Sequence, residues 1–151
     1  MASTWDASLE TGNELIDRQH REIGLLVDQL AGAQIESHQE VLRVLDKVIE
    51  FTLEHFVAEE MLMARVNYPV GLTREMTEQH DSFKSYMRLR VLEFRKGEPT
   101  PIAPLQAFLG DWLRSHESGL DRKLADWIHR QAGVGPMPTR ADLVTSTTRG
   151  A

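Results

Sequence analysis

Residues 41–63 have the sequence VLRVLDKVIEFTLEHFVAEEMLM, in which the side chains of one face recur at every third or fourth position. That face consists of Val41, Leu45, Val48, Thr52, His55, Glu59 and Leu62. Such spacing is typical of an amphipathic α-helix with one buried side. Just upstream, Ser37 stands three residues before Glu40, a pattern found at helix starts. The region therefore predicts a long helix that begins after Ser37.

Three further segments have the same helical spacing. The first runs from about Asp17 to Ile35, the next opens at Thr73, and the last has Pro104 in its first turn. Proline and glycine residues at 67–71 and 97–101 predict the turns between them. Four amphipathic helices with short connections favour an all-α, antiparallel up-down four-helix bundle.

The two ends of the chain lack this pattern. The segment before the first helix reads as an N-terminal arm that Trp5, Leu9 and Leu15 could pin to the bundle. The other end is rich in glycine, proline and threonine. We therefore expect residues 1–132 to form the bundle with its arm, and residues 133–151 to form a flexible C-terminal tail.

The composition excludes several classes of site. The chain has 151 residues, no cysteine and a net charge of −6. Disulfides, thiolate metal sites and cysteine nucleophiles are thereby ruled out, and an acidic chain is a poor candidate for binding nucleic acid. The sequence contains no run of about 18 apolar residues and no signal peptide. We expect a cytoplasmic monomer without a membrane partner.

Each of the four predicted helices carries one histidine on its apolar face: His20, His55, His80 and His116. A single histidine in such a position is usually a hydrogen-bonded core residue. Four of them, one per helix, favour a shared cation, because burying imidazoles without partners costs a few kcal/mol each. The other two histidines, His38 and His129, fall near helix ends and are expected to be solvated.

Two carboxylates strengthen the metal hypothesis. Glu59 follows His55 by four residues, so both project from one side of a helix. Asp121 follows His116 by five residues, a looser spacing that works only if the helix bends or Asp121 reaches across. Imidazole and carboxylate without sulfur suit iron, manganese or zinc. Four histidines and two carboxylates suit two cations better than one.

The order and spacing of these residues resemble those of the bacterial hemerythrins. The resemblance starts at Trp5 and extends to about Leu124. Its motifs are Asp17-Arg-Gln-His20, His55-Phe56-x-x-Glu59-Glu60-x-Leu62-Met63, Tyr68-Pro69, His80-x-x-Phe83 and Trp112-Leu113-x-x-His116-x-x-x-x-Asp121.

The resemblance implies a non-haem di-iron centre that binds dioxygen reversibly. By that pattern, the histidines of the first two helices hold the iron with an open position, and those of the third and fourth hold the second iron. Glu59 and Asp121 bridge the two irons together with an oxo or hydroxo bridge. Four apolar side chains are expected to keep water away: Ile23, Val27, Phe51 and Leu120.

This chain departs from the family pattern at one position. The family has another histidine one turn before His80, where this chain has Met76. Thioether sulfur is a poor match for ferric iron. Either Met76 fills space in the core and the second iron lacks one protein ligand, or the centre has been altered for different chemistry. Glu75, water or hydroxide could take the missing position.

Three functions remain open from the sequence. The first is reversible binding of dioxygen by a carrier, store or sensor. The second is a di-iron redox enzyme, either a peroxidase or an oxidase that consumes dioxygen or nitric oxide, which uses the position left by Met76. The third is a bundle with a structural or mononuclear metal. Small exogenous ligands such as dioxygen, peroxide, azide and nitric oxide are the expected partners, and no motif indicates an organic substrate.

The sequence also predicts the surroundings of several side chains near the candidate ligands. Asp17 either orients His20 through a hydrogen bond or caps the first helix. Trp112, one turn before His116, is expected to point inward and pack beside the metal. Two other carboxylates are expected to face solvent: Glu60 and Glu117.

Overall fold

All regular secondary structure in the described part of the chain is helical. In the computed structural model this part comprises residues 3–30, 37–97 and 102–131. After a short 3₁₀ turn at Ala7–Leu9, the helices are α1 (Glu14–Leu30), α2 (His38–Arg65), α3 (Val70–Arg95), α4 (Ile102–His116) and α5 (Arg122–Arg130). A π-helical turn, Glu117–Asp121, joins α4 directly to α5, so these two helices form one interrupted rod.

The predicted four-helix bundle is confirmed. Helix α1 packs against α2 and α4, and α2 packs against α3 and α5. No helix among the described residues is long and apolar enough to cross a membrane. The predicted flexible tail, residues 133–151, lies outside the described residues.

Helix α1 begins three residues earlier than the predicted Asp17. Asn13 caps it, since its side-chain Oδ1 accepts a hydrogen bond from the Ile16 backbone N–H at 3.1 Å. Asp17 instead accepts hydrogen bonds from the backbone N–H groups of Thr11 and Gly12, at 2.8 and 3.1 Å. Gly12 has a φ of +86°, which glycine adopts without strain. A tight turn therefore connects the N-terminal arm to α1.

Helix α3 also begins earlier than predicted, at Val70 rather than Thr73. Pro69 occupies the N-cap position, and its carbonyl accepts a hydrogen bond from the Thr73 N–H at 2.9 Å. By contrast, the predicted cap of α2 is confirmed, because Ser37 Oγ accepts a hydrogen bond from the Glu40 N–H at 3.1 Å.

Two apolar layers fill the bundle. The first layer holds the buried side chains of the second half of α1, the first half of α2, the second half of α3 and most of α4. The second layer holds those at the opposite ends of the same helices and along α5. In α1, for example, Ile16 belongs to the second layer and Ile23 to the first. The predicted histidine of each helix falls at the boundary between the two layers.

The N-terminal arm is fixed to α1. Thr4 donates a hydrogen bond from Oγ1 to Asp28 Oδ1 at 2.6 Å, and its backbone N–H donates to the same oxygen at 2.9 Å. Trp5 crosses α1 at Gly24, where an added Cβ would lie 2.9 Å from the Trp5 Cβ. Leu9 is buried as well. The prediction that Trp5 and Leu9 pin the arm is therefore confirmed.

Candidate metal centre

Six polar side chains meet at the boundary between the two apolar layers, and together we call them the centre. They come from every long helix: His20 from α1, His55 and Glu59 from α2, His80 from α3, His116 from α4 and Asp121 from the π-helical turn. None is more than 3% exposed. The structure therefore brings together all six residues predicted as metal ligands.

The first group within the centre consists of His20, His55, Glu59 and Asp121, whose ligand atoms all lie within 4.8 Å of one another. His20 Nε2 lies 2.8 Å from Asp121 Oδ2. His55 Nε2 lies 3.1 Å from the same oxygen and 3.2 Å from Glu59 Oε1. Two imidazoles thus face two carboxylates across a very short space.

The second group consists of Glu59, His80 and His116. Glu59 Oε2 lies 2.9 Å from His80 Nε2 and 3.6 Å from His116 Nε2. Asp121 Oδ1 lies 2.8 Å from His116 Nε2. Each carboxylate therefore directs one oxygen to the histidines of the first group and the other oxygen to those of the second.

The π-helical turn explains how Asp121 can lie beside His116 although the two are five residues apart. On a regular α-helix, five residues rotate a side chain about 140° away from its starting direction. The wider turn over Glu117–Asp121 instead places Asp121 beside His116, so the helix distortion left open from the sequence is confirmed. Single π turns of this kind occur often at functional sites.

The outer nitrogens of three histidines are held by amide or carboxylate oxygens. His55 Nδ1 donates to Gln19 Oε1 at 2.9 Å, and His116 Nδ1 donates to Gln79 Oε1 at 2.8 Å. His80 Nδ1 donates to Glu60 Oε1 at 3.3 Å. A neutral imidazole that donates through Nδ1 presents a lone pair at Nε2. In each case that lone pair faces the centre.

Lone pairs facing carboxylate oxygens require a positive charge between them. Several atoms of the described centre are buried without any hydrogen bond: Glu59 Oε1, Asp121 Oδ1 and His116 Nε2. Zinc, for example, binds nitrogen and oxygen at about 2.0–2.2 Å, so two ligand atoms on one ion stand roughly 3–3.6 Å apart, depending on the angle between them. The separations in the centre have this size. The donor set and its unsatisfied atoms therefore fit bound metal cations.

Without a metal, protons would supply the positive charge. Burial opposes charging of His55, but Glu59 and Asp121 outweigh it and raise the pKa of His55 well above its ordinary value. Burial also lowers the pKa of His116, but its interactions with Asp121 and Glu59 together outweigh burial and raise that pKa to about 10. Conversely, burial opposes the charged form of Asp121, but the charge of His116 and the hydrogen bonds from neighbouring side chains together hold the pKa of Asp121 well below its usual range. Cation binding must therefore displace protons from the centre.

The sequence reasoning missed the two glutamines that hold the histidines. Gln19 lies next to His20 and contacts His55 on α2, while Gln79 lies next to His80 and contacts His116 on α4. Each glutamine thus orients a histidine of a neighbouring helix. The repeated dipeptide Gln-His, at 19–20 and 79–80, is the signal that could have revealed them.

Two expectations about neighbouring carboxylates need correction. Asp17 does not orient His20, since its carboxylate binds the backbone of the preceding turn, and His20 Nδ1 makes no hydrogen bond with the described residues. Glu117 does not face solvent, because it is only 2% exposed. It begins the π-helical turn, whose altered register rotates it away from the surface. Glu60 is half-buried and contacts His80.

The remaining predicted neighbours lie as expected. The ring of Trp112 stacks on His116 with a centroid separation of 4.6 Å. His38 and His129 are exposed. Met76 is fully buried in the second apolar layer, whereas the adjacent Glu75 is exposed.

Comparison with known proteins agrees with this geometry. Residues 11–128 match the family model of the hemerythrin HHE cation-binding domain. The chain is 31% identical over 125 residues to a bacteriohemerythrin of Stenotrophomonas maltophilia, covering 82% of this chain and 80% of that protein. It is 29% identical over 120 residues to a hemerythrin-like protein of Naegleria gruberi, covering 79% and 87%.

A solved structure has the same fold. The crystal structure of a wild-type hemerythrin superposes with a TM-score of 0.75 at 25% identity, covering 85% of this chain and 97% of the other. The region that the family model matches, residues 11–128, contains all six side chains of the centre. The chain belongs to the hemerythrin family of HHE cation-binding domains.

Proposed function

We propose that this chain holds two iron ions and binds dioxygen reversibly, as an oxygen carrier, store or sensor. The observation that carries the proposal is the division of each carboxylate between the two groups. Carboxylates that share their oxygens in this way are suited to bridging two cations, and bundle cores elsewhere hold dinuclear carboxylate sites. Dioxygen is the ligand that the resemblance to the bacterial hemerythrins implies, and the chain has relatives named bacteriohemerythrin.

The six side chains divide into distinct roles in this proposal. His20 and His55 hold the ion of the first group, and His80 and His116 hold that of the second. Glu59 and Asp121 bridge the pair, with an oxo or hydroxo bridge completing it. When bound, iron would supply an open coordination position and the electrons that reversible dioxygen binding requires.

The surrounding residues keep the centre dry and correctly oriented. Ile23, Val27 and Leu120 are buried, and Phe51 packs against the first apolar layer. Excluding water from such a site strengthens every electrostatic interaction inside it. Gln19 and Gln79 fix the rings of the histidines, which keeps their Nε2 lone pairs directed inward. The role of the apolar residues as the pocket wall stays a prediction.

Reversible binding can be tested directly by visible spectroscopy. The purified chain is loaded with ferrous iron without air, exposed to dioxygen, and then returned to argon. The proposal predicts a charge-transfer band that appears with dioxygen and disappears when the gas is removed, over several cycles. A band that never forms, or a single irreversible oxidation, would count against reversible binding.

One observation favours a second candidate, a di-iron redox enzyme such as a peroxidase or an oxidase. The second group has two histidines and shares Glu59 and Asp121 with the first, so it has no third histidine. Met76, one turn before His80, supplies only a thioether in an apolar layer. A cation in the second group would then have a position open to a small ligand. Rapid turnover of hydrogen peroxide with an electron donor, faster than in a Met76→His variant, would support this candidate over the first.

A further inference from the structure

His80 lies between two carboxylates that are neighbours on α2. Its Nε2, on the side of the centre, lies 2.9 Å from Glu59 Oε2. Its Nδ1, on the outer side, donates to Glu60 Oε1 at 3.3 Å. The face of its ring stacks on Phe56 with a centroid separation of 3.8 Å. The ring is therefore fixed at both nitrogens and on one face.

The outer acceptor distinguishes His80 from the other three histidines of the centre. The outer nitrogens of two of them donate to the amide oxygens of Gln19 and Gln79, which are neutral. The Nδ1 of His20 makes no hydrogen bond with the described residues. Among the four, His80 alone donates its outer N–H to a carboxylate, which carries a negative charge.

The charge of that acceptor acts on the nitrogen at the other side of the ring. Hydrogen bonds to an ionised acceptor are roughly twice as strong as those between neutral groups. An imidazole that donates to a carboxylate becomes a more basic metal ligand, because the negative charge stabilises positive charge on the ring. The Nε2 of His80 belongs to the second group, so the effect of Glu60 is felt by a cation there.

We propose that Glu60 is a positioning residue of the second group, which strengthens the binding of the cation there through the charge that it places beside His80. The inference rests on the proposed function, since it assumes a cation in that group. Glu60 is not itself a ligand, because its oxygen contacts the nitrogen that points away from the centre. Helix α3 supplies one ligand to the centre, with Met76 buried in the second apolar layer, so the donor strength of His80 matters most here.

The exposure of Glu60 sets the size of the effect. Its side chain is 41% exposed, so water and salt screen part of its charge. Loss of a partner behind a metal ligand typically costs 10–100-fold in metal affinity. For a partly screened charge we expect the lower end of that range, about tenfold.

The first test separates the charge of Glu60 from its hydrogen bond. Cobalt(II) is titrated by calorimetry into the metal-free wild type, Glu60→Gln and Glu60→Ala. The glutamine keeps an acceptor of the same shape without the charge, whereas the alanine removes both. Glu78→Gln, altered at an exposed glutamate of α3, is the matched control.

We expect one cobalt site of Glu60→Gln to bind about tenfold more weakly than in the wild type. The same site of Glu60→Ala should bind at least as weakly as that of the glutamine variant, and the control should be unchanged. Wild-type affinity in Glu60→Gln would overturn the proposal even if Glu60→Ala binds more weakly, since orientation of the ring would then explain the whole effect.

The second test shows whether the effect passes through a single histidine. Proton NMR of the cobalt-loaded proteins is recorded in H₂O and D₂O, in which the shifted resonances of the imidazole N–H groups are recognised by their exchange. Glu60→Gln should move one of these resonances and leave the others in place. Movement of none of them, or of all of them, would overturn the proposal.

The cobalt experiments distinguish this inference from the proposed function, because they need neither iron nor dioxygen. A chain that takes up two cobalt ions but shows no reversible change with dioxygen would contradict only the proposed function. Wild-type cobalt affinity in Glu60→Gln, in a chain that binds dioxygen reversibly, would contradict only the role of Glu60.

Discussion

His116 Nε2 lies 2.8 Å from Asp121 Oδ1 although five residues separate the two along the chain. The contact exists because the backbone follows a π-helical turn from Glu117 to Asp121. The same turn leaves Asp121 Oδ2 free to face His20 of the neighbouring helix α1, at 2.8 Å. One distorted turn therefore connects the two groups of the centre.

Replacing Asp121 with asparagine should abolish the shared binding of two cations. Asparagine keeps the size of the side chain, but it loses the charge that faces His20, His55 and His116. We expect helix content to stay within error of the wild type, while bound metal falls below two equivalents and affinity drops at least tenfold. Inductively coupled plasma analysis after iron loading checks this, with the exposed Asp111→Asn as control. Full metal content in Asp121→Asn would contradict the bridging role.

Removing either glutamine that orients a histidine should weaken metal binding without removing a ligand. In Gln19→Ala, the Nδ1 of His55 loses its acceptor, and in Gln79→Ala the same happens to His116. Such changes typically cost 10–100-fold in affinity. Cobalt(II) titration measures the effect, and Gln29→Ala, at an exposed position of α1, provides the comparison. Equal affinities in all three variants would show that the amides do not orient the rings.

The metal-free protein should lose stability as the pH rises from about 5 to 9. Burial raises the pKa of Glu117 from 4.5 to about 8, so the folded state holds this proton more tightly than the unfolded state. The resulting stabilisation is complete below pH 4.5 and is lost as the pH passes through about 8. At about 1.4 kcal/mol per pKa unit, the loss that Glu117 alone contributes is at most on the order of 5 kcal/mol.

Thermal unfolding in the presence of a chelator measures this dependence. Glu117→Gln removes the titrating group, so its midpoint should fall less than that of the wild type over the same pH range. His116, whose pKa is raised to about 10, contributes in the same direction in both proteins. Parallel curves for the two proteins would show that Glu117 titrates normally.

Replacement of glycine by alanine should have opposite effects on stability at two positions, one beneath the arm and one in open space at the start of α3. Gly24→Ala would place a Cβ 2.9 Å from the Trp5 Cβ, which displaces the arm. We expect a loss of about 1–3 kcal/mol in the free energy of unfolding. Gly71 has nothing within 4 Å of an added Cβ and lies in the first turn of α3, so Gly71→Ala should leave stability unchanged or raise it by up to about 1 kcal/mol. Urea unfolding distinguishes the two; a neutral Gly24→Ala would mean that the arm is not firmly packed.

A histidine at position 76 should change the oxidation behaviour of the second group. Met76 is fully buried one turn before His80, so Met76→His brings an imidazole next to that group. If the natural protein has an open position there, it should oxidise faster after exposure to dioxygen than the variant does. Visible spectra over repeated reduction and air exposure compare the two. Equal lifetimes would show that Met76 leaves no reactive position.

Much of the fold follows from local pattern in the sequence. Helical spacing and the Ser37 cap predict α2 correctly, since both depend only on neighbouring residues. The starts of α1 and α3 were predicted three residues late, because Asn13 and Pro69 act through hydrogen bonds whose geometry the spacing does not contain. The six residues of the centre were predicted from one histidine per helix and from the family resemblance.

The parts of the site that escaped prediction depend on contacts between helices. Gln19 orients His55 of α2 rather than its neighbour His20, and sequence distance gives no measure of such a contact. The burial of Glu117 follows from the π-helical turn, whereas regular α-helical geometry would direct the side chain differently. The sequence contains the residues of the site, but the register of that one turn decides that Asp121 faces the other side chains of the centre.

The number and identity of the bound metals test the two-cation centre most directly. The chain is expressed in iron-supplemented medium, purified without chelators and analysed by inductively coupled plasma spectrometry against its protein concentration. Sharing of Glu59 and Asp121 between the two groups predicts about two metal ions per chain, and the family resemblance predicts that they are iron rather than zinc. One iron per chain, or zinc in place of iron, would contradict a di-iron centre.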